Sequence, residues 1–200
     1  MTYFAHRLER IISMRTATLF DDCPIIAAVK DEHGLEQCLK LDCRVVFILF
    51  GNILNIGDIV RRVKDAGRTA IVHIDLISGL SSKEISVDFI RSNTGADGII
   101  STKPQLIRRA KELSLITVQR FFVLDSLSFQ NVEKIKELCH PDFVEILPGV
   151  MPKIIRRIAS EIGIPVIAGG LITDKDDIVQ ALSNGAVAIS STNEDVWRLG

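Results

Sequence analysis

Aromatic residues make up only 6% of the 200 positions, with one tryptophan and one tyrosine among them. Modules that grip single-stranded nucleic acid stack bases on aromatic platforms, and this chain has no such platform, no RNP string and no Gly-x-x-Gly loop. Charge of one sign is also missing. Lys and Arg number 24 against 25 Asp and Glu, a formal net charge of −1, so bulk attraction to a polyanion is excluded and any nucleic-acid contact must come from a local patch. Cys23, Cys38, Cys43 and Cys139 form no Cys-x-x-Cys pair and no zinc-type spacing with histidine. In a chain this long they read as reduced, buried thiols, which points to the cytoplasm. No apolar run approaches the roughly 20 residues of a membrane span, and the amino terminus lacks the apolar stretch of a signal peptide.

What is present is a repeat. Eight short runs rich in Val and Ile end at small or polar residues, each followed by a charged stretch of helical periodicity. They are Ile25 to Val29, Val45 to Phe50, Ala70 to Ile74, Gly98 to Ile100, Ile116 to Phe122, Phe143 to Leu147, Val166 to Ala168 and Ala186 to Ile189. Continuous apolar character means strands covered on both faces, as in a parallel sheet wrapped by helices. Eight units in 200 residues allow about 25 residues each, the lower limit of a compact (β/α)8 TIM-type barrel. A hydrophobic content of 47% suits one core, so a single barrel domain over 1–200 is expected. An extra amphipathic helix is expected within about 1–22, with Leu8, Ile11, Ile12 and Met14 opposite Arg7, Glu9, Arg10 and Arg15.

Loop chemistry separates the two ends of such a barrel. Gly67, Gly95, Gly163 and Gly185 fit helix ends that feed strands. The strand-to-helix turns instead collect Lys30, Asp31, Asn52, Asp75, Thr102, Lys103 and Asp125, on the face where barrels bind ligands. Gly169-Gly170 closes the seventh apolar run and Ser190-Ser191 the eighth. In eight-stranded barrels those two loops commonly hold a phosphate: glycines admit the backbone closely, and hydroxyls add donors. His73 and Asp75, two apart, are expected to face the same way, with Glu145 also at the mouth and Lys30 and Lys103 supplying positive charge. Such a mouth suits a small, anionic, hydroxyl-bearing ligand, while a structural ion network closing the core is the competing account. No tight spacing among His73, Asp75 and Glu145 supports a metal.

Five strings in order make the chain resemble the glycerol-uptake operon antiterminator family: His73 to Leu80, Ala96 to Lys103, Gln119 to Ser126, Glu145 to Gly149 and Ile167 to Ile172. The resemblance runs from about Pro24 to Trp197. It implies a cytoplasmic regulator that senses glycerol 3-phosphate as an effector, needs no cofactor, and binds the leader mRNA of a glycerol-utilisation operon to favour read-through. By position, Gly169, Gly170, Ser190 and Ser191 would hold the phosphate, and Asp75, Lys103 and Glu145 the glycerol end. The last strand ends Ser190-Ser191-Thr192 where the family often has Ser-Thr-Ser, which keeps the hydroxyl content.

Two readings compete beyond the ligand. For RNA, Arg61-Arg62, Arg108-Arg109 and Arg156-Arg157 recur on the helices after strands two, four and six; they are a basic surface if a homo-oligomer brings copies into register, or ordinary solvated helix faces. For catalysis, barrels with this anion pattern are often isomerases or aldolases acting on phosphorylated metabolites, and Asp75, Lys103 and Glu145 are suitable acid-base types. The family strings favour the regulator, because fold alone does not assign function.

Overall fold

In the computed structural model of the protein, which describes residues 18–200, eight parallel strands close into a barrel in chain order, with β8 returning to pair with β1. The strands are β1 (Ile25–Val29), β2 (Val45–Ile48), β3 (Thr69–His73), β4 (Gly98–Ser101), β5 (Ile116–Phe122), β6 (Phe143–Leu147), β7 (Val166–Gly169) and β8 (Ala186–Ser191). Helices alternate with them: α1 (Glu32–Cys38), α2 (Ile56–Asp65), α3 (Ile85–Asn93), α4 (Pro104–Glu112), α5 (Ser126–Glu133) with the short α6 (Ile135–Leu138), α7 (Pro152–Ile162), α8 (Lys175–Ser183) and α9 (Glu194–Trp197). This is the (β/α)8 TIM-type fold. The expected amino-terminal helix, with Arg7, Arg10 and Arg15, lies outside the described residues.

The strand ends depart from the apolar runs for a backbone reason. Ladder pairing is indifferent to side-chain polarity, so β4, β7 and β8 continue through Ser101, Gly169 and Ser191, whereas β2 stops at Ile48, before Leu49 and Phe50. β3 ends at His73, and Ile74–Leu76 forms a 3-10 turn. The two-residue alternation expected to align His73 with Asp75 therefore does not reach Asp75.

Each strand buries two faces against different cores. Outward residues such as Val46, Val72, Val144 and Ile146 pack under the helices, which present apolar stripes at helical spacing: Ile56, Ile59, Val60 and Val63 on α2, and Ile155, Ile158 and Ile162 on α7. Inward residues, among them Val45, Phe47, Ile71, Ile100, Val118, Phe143, Ile167 and Ala188, fill the barrel itself. Phe20 plugs the floor, its ring edge-on to Phe143 at 5.2 Å between centroids. Gly163 ends α7 in the left-handed region, and Gly67 and Gly185 also have positive φ. Gly95 does not; α3 ends instead on the extended Thr94. The four cysteines are free and buried, and among the described residues no helix is long and apolar enough to cross a membrane.

Gly98 opens β4 where the strands crowd most: a Cβ there would sit 2.3 Å from the backbone oxygen of Ile116. That oxygen cannot yield as a side chain would. Gly98→Ala should therefore lower stability by about 3 kcal/mol or more, as overpacking against backbone does, seen as a reduced urea midpoint with an unchanged slope.

Candidate functional site

Along β5, Ile116 and Val118 point into the barrel, and the same parity carries Arg120 inward. On β6, Phe143 is inward and Glu145 follows; on β3, Ile71 and then His73; on β8, Ala188 and then Ser190. The interior is thus apolar from the floor upward and turns polar in its last rung, at the carboxyl ends of the strands. His73, Arg120, Glu145 and Ser190 all have less than a tenth of their surface exposed, and Glu145 has none.

The rung is wired together. Arg120 and Glu145 are register partners on β5 and β6, and Arg120 Nε donates to Glu145 Oε2 at 2.5 Å. The other oxygen, Oε1, accepts from Ser190 Oγ at 2.6 Å. A carboxylate without water needs this, since an unmet buried charge costs several kcal/mol. Gly169, on the strand between them, has no room for a side chain: a Cβ would lie 2.6 Å from both Glu145 Oε1 and Ser190 Oγ. The glycine pair therefore has two separate jobs. Gly169 lets the Glu145–Ser190 bond form, and Gly170, at φ +73°, turns the chain beside Leu147.

His73 sits in the same rung with its Nδ1 buried and without a hydrogen-bond partner among the described residues. Burial first, then the positive charge of Arg120, push its imidazole down to about 4, against a partial opposing pull from Asp75. It is neutral at physiological pH.

The remaining expected residues divide. Asp75 is tied to the β4–α4 loop: it accepts from Ser101 Oγ at 2.9 Å, from Thr102 N–H at 2.7 Å and from Thr102 Oγ1 at 3.0 Å, with Lys103 Nζ at 3.3 Å. Burial works to raise its carboxyl, but these hydrogen bonds and the Lys103 charge outweigh that and hold it below its ordinary value. No hydrogen bond joins Asp75 to Glu145 among the described residues, and their partners are different. Ser191 points the opposite way from Ser190, donating to the Ile172 carbonyl at 2.9 Å and accepting from Asn193 N–H at 3.1 Å, so its hydroxyl braces two loops. Lys30 is exposed and lines a cavity of about 250 Å³ with His33, Thr192 and Glu194, between the β1–α1 and β8–α9 loops. A larger groove of about 500 Å³ lies apart from the rung, between α5 and α7, where Arg157 covers the Phe129 ring at 4.1 Å. Among the described residues no three His, Cys, Asp or Glu side chains converge as metal ligands.

The arginine pairs lie on α2, α4 and α7, on the outside of the barrel. Most are engaged: Arg61 with Asp58 at 2.9 Å, Arg62 with Glu32 at 2.6 Å, Arg109 with Asp88 and Glu112, and Arg157 with Glu161 at 3.0 Å. Arg108 and Arg156 are exposed, with no acidic partner among the described residues.

The glycerol-3-phosphate responsive antiterminator family matches residues 25–197, from the start of β1 to the end of α9. The chain belongs to that family. This antiterminator-family protein is 43% identical over 176 residues to the uncharacterized protein YgcP of Escherichia coli K12, a span covering 88% of this chain and 92% of YgcP. A glycerol uptake operon antiterminator regulatory protein from Listeria monocytogenes superposes with a TM-score of 0.86 at 30% identity, over 89% of this chain and 96% of that one. A glycerol uptake operon antiterminator-related protein from Thermotoga maritima gives 0.77 at 35% identity, over 87% and 97%.

Sequence reasoning passed over Arg120, although a signal was there. It is the one charged residue within the apolar run Ile116 to Phe122, and it shares parity with Ile116 and Val118.

Two outcomes follow. Unfolded His73 takes a proton near 6.5 and the native residue near 4, so in that window the unfolded state binds more protons. Stability is full above pH 6.5 and falls as pH drops toward 4, by about 3 kcal/mol from this residue; urea titrations at several pH values should show the fall, and His73→Phe should flatten it. Gly169→Ala should break the Glu145–Ser190 bond and leave a buried carboxylate short of a partner, costing about 1–3 kcal/mol, read as a lower melting temperature than for the neighbouring change Leu171→Ala.

Proposed function

We propose that the protein is a cytoplasmic transcription antiterminator that binds glycerol 3-phosphate at the barrel mouth and, so loaded, binds the leader mRNA of a glycerol-utilisation operon and promotes read-through. The observation that carries this reading is the family match over the whole barrel, joined to a mouth whose last rung is polar and buried. In this reading the phosphoryl group lies on the rim at Gly169-Gly170 and Ser190-Ser191; the two hydroxyls already donate to Glu145 and to the Ile172 carbonyl, so its donors would be backbone N–H groups. Asp75, Lys103 and Glu145 bound the glycerol side.

The two carboxylates at the mouth are both committed to partners. Asp75 is held by Ser101, Thr102 and Lys103, and both Glu145 oxygens are occupied, which favours a site built to bind over one built to move protons. The effector at the mouth is remote from the arginines on α2, α4 and α7, so it acts by favouring one arrangement of loops or subunits over another. Arg108 and Arg156, which have no acidic partner among the described residues, are the first contacts to an RNA phosphate, and an oligomer would repeat them.

Calorimetry with glycerol 3-phosphate, glycerol and inorganic phosphate tests the effector. Glycerol 3-phosphate should bind at least about tenfold tighter than either fragment, and equal affinity for glycerol would sink the phosphate site. Leader-RNA retention at two salt concentrations tests the regulator: the effector should raise affinity roughly 5- to 150-fold, and Arg108→Ala with Arg156→Ala should weaken binding and flatten its salt dependence. Retention indifferent to the effector rules out the coupling.

A further inference from the structure

Arg120 is fixed at one nitrogen and open at two. Its Nε is spent on Glu145, which Ser190 holds in turn, and Nη1 and Nη2 make no hydrogen bond to any described residue. A guanidinium carries its donors in a rigid fork, so clamping Nε sets where the other two groups aim. Here they lie in the last rung of the barrel, on a side chain more than nine-tenths buried. The second group left short there is His73, whose Nδ1 is sealed from water and unpartnered among the described residues. Buried polar atoms without partners are rare, because each forfeits its solvation. One such atom among the described residues, beside two guanidinium nitrogens that make no hydrogen bond and keep some accessible surface, marks where a bound molecule supplies the missing partners.

The charges decide what kind of atoms those are. Arg120 and Glu145 cancel, and His73 is neutral at physiological pH, so the rung presents hydrogen-bonding groups with no surplus positive charge to hold a phosphate. Guanidinium N–H groups donate, and a neutral imidazole nitrogen either donates or accepts. A hydroxyl does both as well. The pair therefore suits neighbouring hydroxyl groups, leaving the phosphoryl end outside at the glycine pair.

We infer that Arg120 and His73 are the ligand-contacting floor of the mouth, that Glu145 and Ser190 position Arg120, and that the ligand they select is a phosphorylated polyol whose adjacent hydroxyls rest on the guanidinium and the imidazole. This rests on the reading of the mouth as an effector site, and it names two contacts and a selectivity which that reading leaves open. Glu145 becomes a positioning residue, since neither of its oxygens is free for a hydroxyl.

The test compares sn-glycerol 3-phosphate with 3-hydroxypropyl phosphate, which lacks the middle hydroxyl, on the wild type, Arg120→Lys and His73→Phe, by calorimetry. The ¹⁵N–¹H signals of the Arg120 side chain and the His73 ring are followed in the wild type, where no substitution can disturb folding. Each substitution should weaken glycerol 3-phosphate binding about 10- to 100-fold, and that loss should shrink several-fold with the analogue, a pattern that a purely structural role would not give. Both sets of signals should move on adding glycerol 3-phosphate and stay put with inorganic phosphate. If glycerol 3-phosphate binds and neither the variants nor the signals respond, the effector reading stands and the floor assignment is overturned. If it does not bind, the effector reading falls, and glycerol 1-phosphate and ribitol 5-phosphate are added: movement of the Arg120 and His73 signals sustains the floor with a different phosphorylated polyol, and still signals overturn it as well.

Discussion

A carboxylate with no exposed surface lies inside a closed barrel, and the organisation of the mouth depends on how its charge is met. Glu145 cannot reach water, so side chains from other strands must replace it: Arg120 from the adjacent β5 and Ser190 from β8, one strand beyond β7. β7 runs between β6 and β8, and it must carry a glycine where the Ser190 hydroxyl crosses to Glu145. The orientation of Arg120 and the need for Gly169 are consequences of one ion pair placed in a low-dielectric rung, and the same burial, with the Arg120 charge second, keeps His73 neutral. Below it the interior is filled by aliphatic and aromatic side chains down to Phe20, so the polar rung has solid support and does not open into a channel.

The same arrangement bears on what the barrel does. Acid-base catalysis needs a group free to take or give a proton within reach of a substrate. Here Asp75 is saturated by the β4–α4 loop, and Glu145 by its two partners. Of the titratable side chains named at the mouth, His73 is the one with a buried nitrogen that has no partner among the described residues. The outer surface is built differently: on α2, α4 and α7 most arginines are drawn into pairs with nearby acids, so the basic doublets visible in the sequence present less free positive charge than their count implies.

The barrel itself was legible from the chain alone. Eight Val- and Ile-rich runs, spaced for one helix each and lacking alternation, determine a parallel sheet covered on both faces, because only such a sheet buries both sides of a strand. The position of the mouth followed as well, since polar residues gathered after the strands and glycines before them. Element ends were less legible: backbone pairing ignores polarity, which is why Gly169 and Ser191 lie in strands and Leu49 does not. What only the tertiary structure decided is which polar groups meet. Glu145 and Ser190 are 45 residues apart and Arg120 and Glu145 are 25 apart, and no local pattern encodes a hydrogen bond across a barrel. Asp75 belonged by sequence with His73, yet a 3-10 turn after β3 delivers it to Ser101 and Thr102, while strand parity sends Ser191 away from the site that Ser190 enters. Periodicity along the chain sets which face a residue takes; closure of the barrel sets what it finds there.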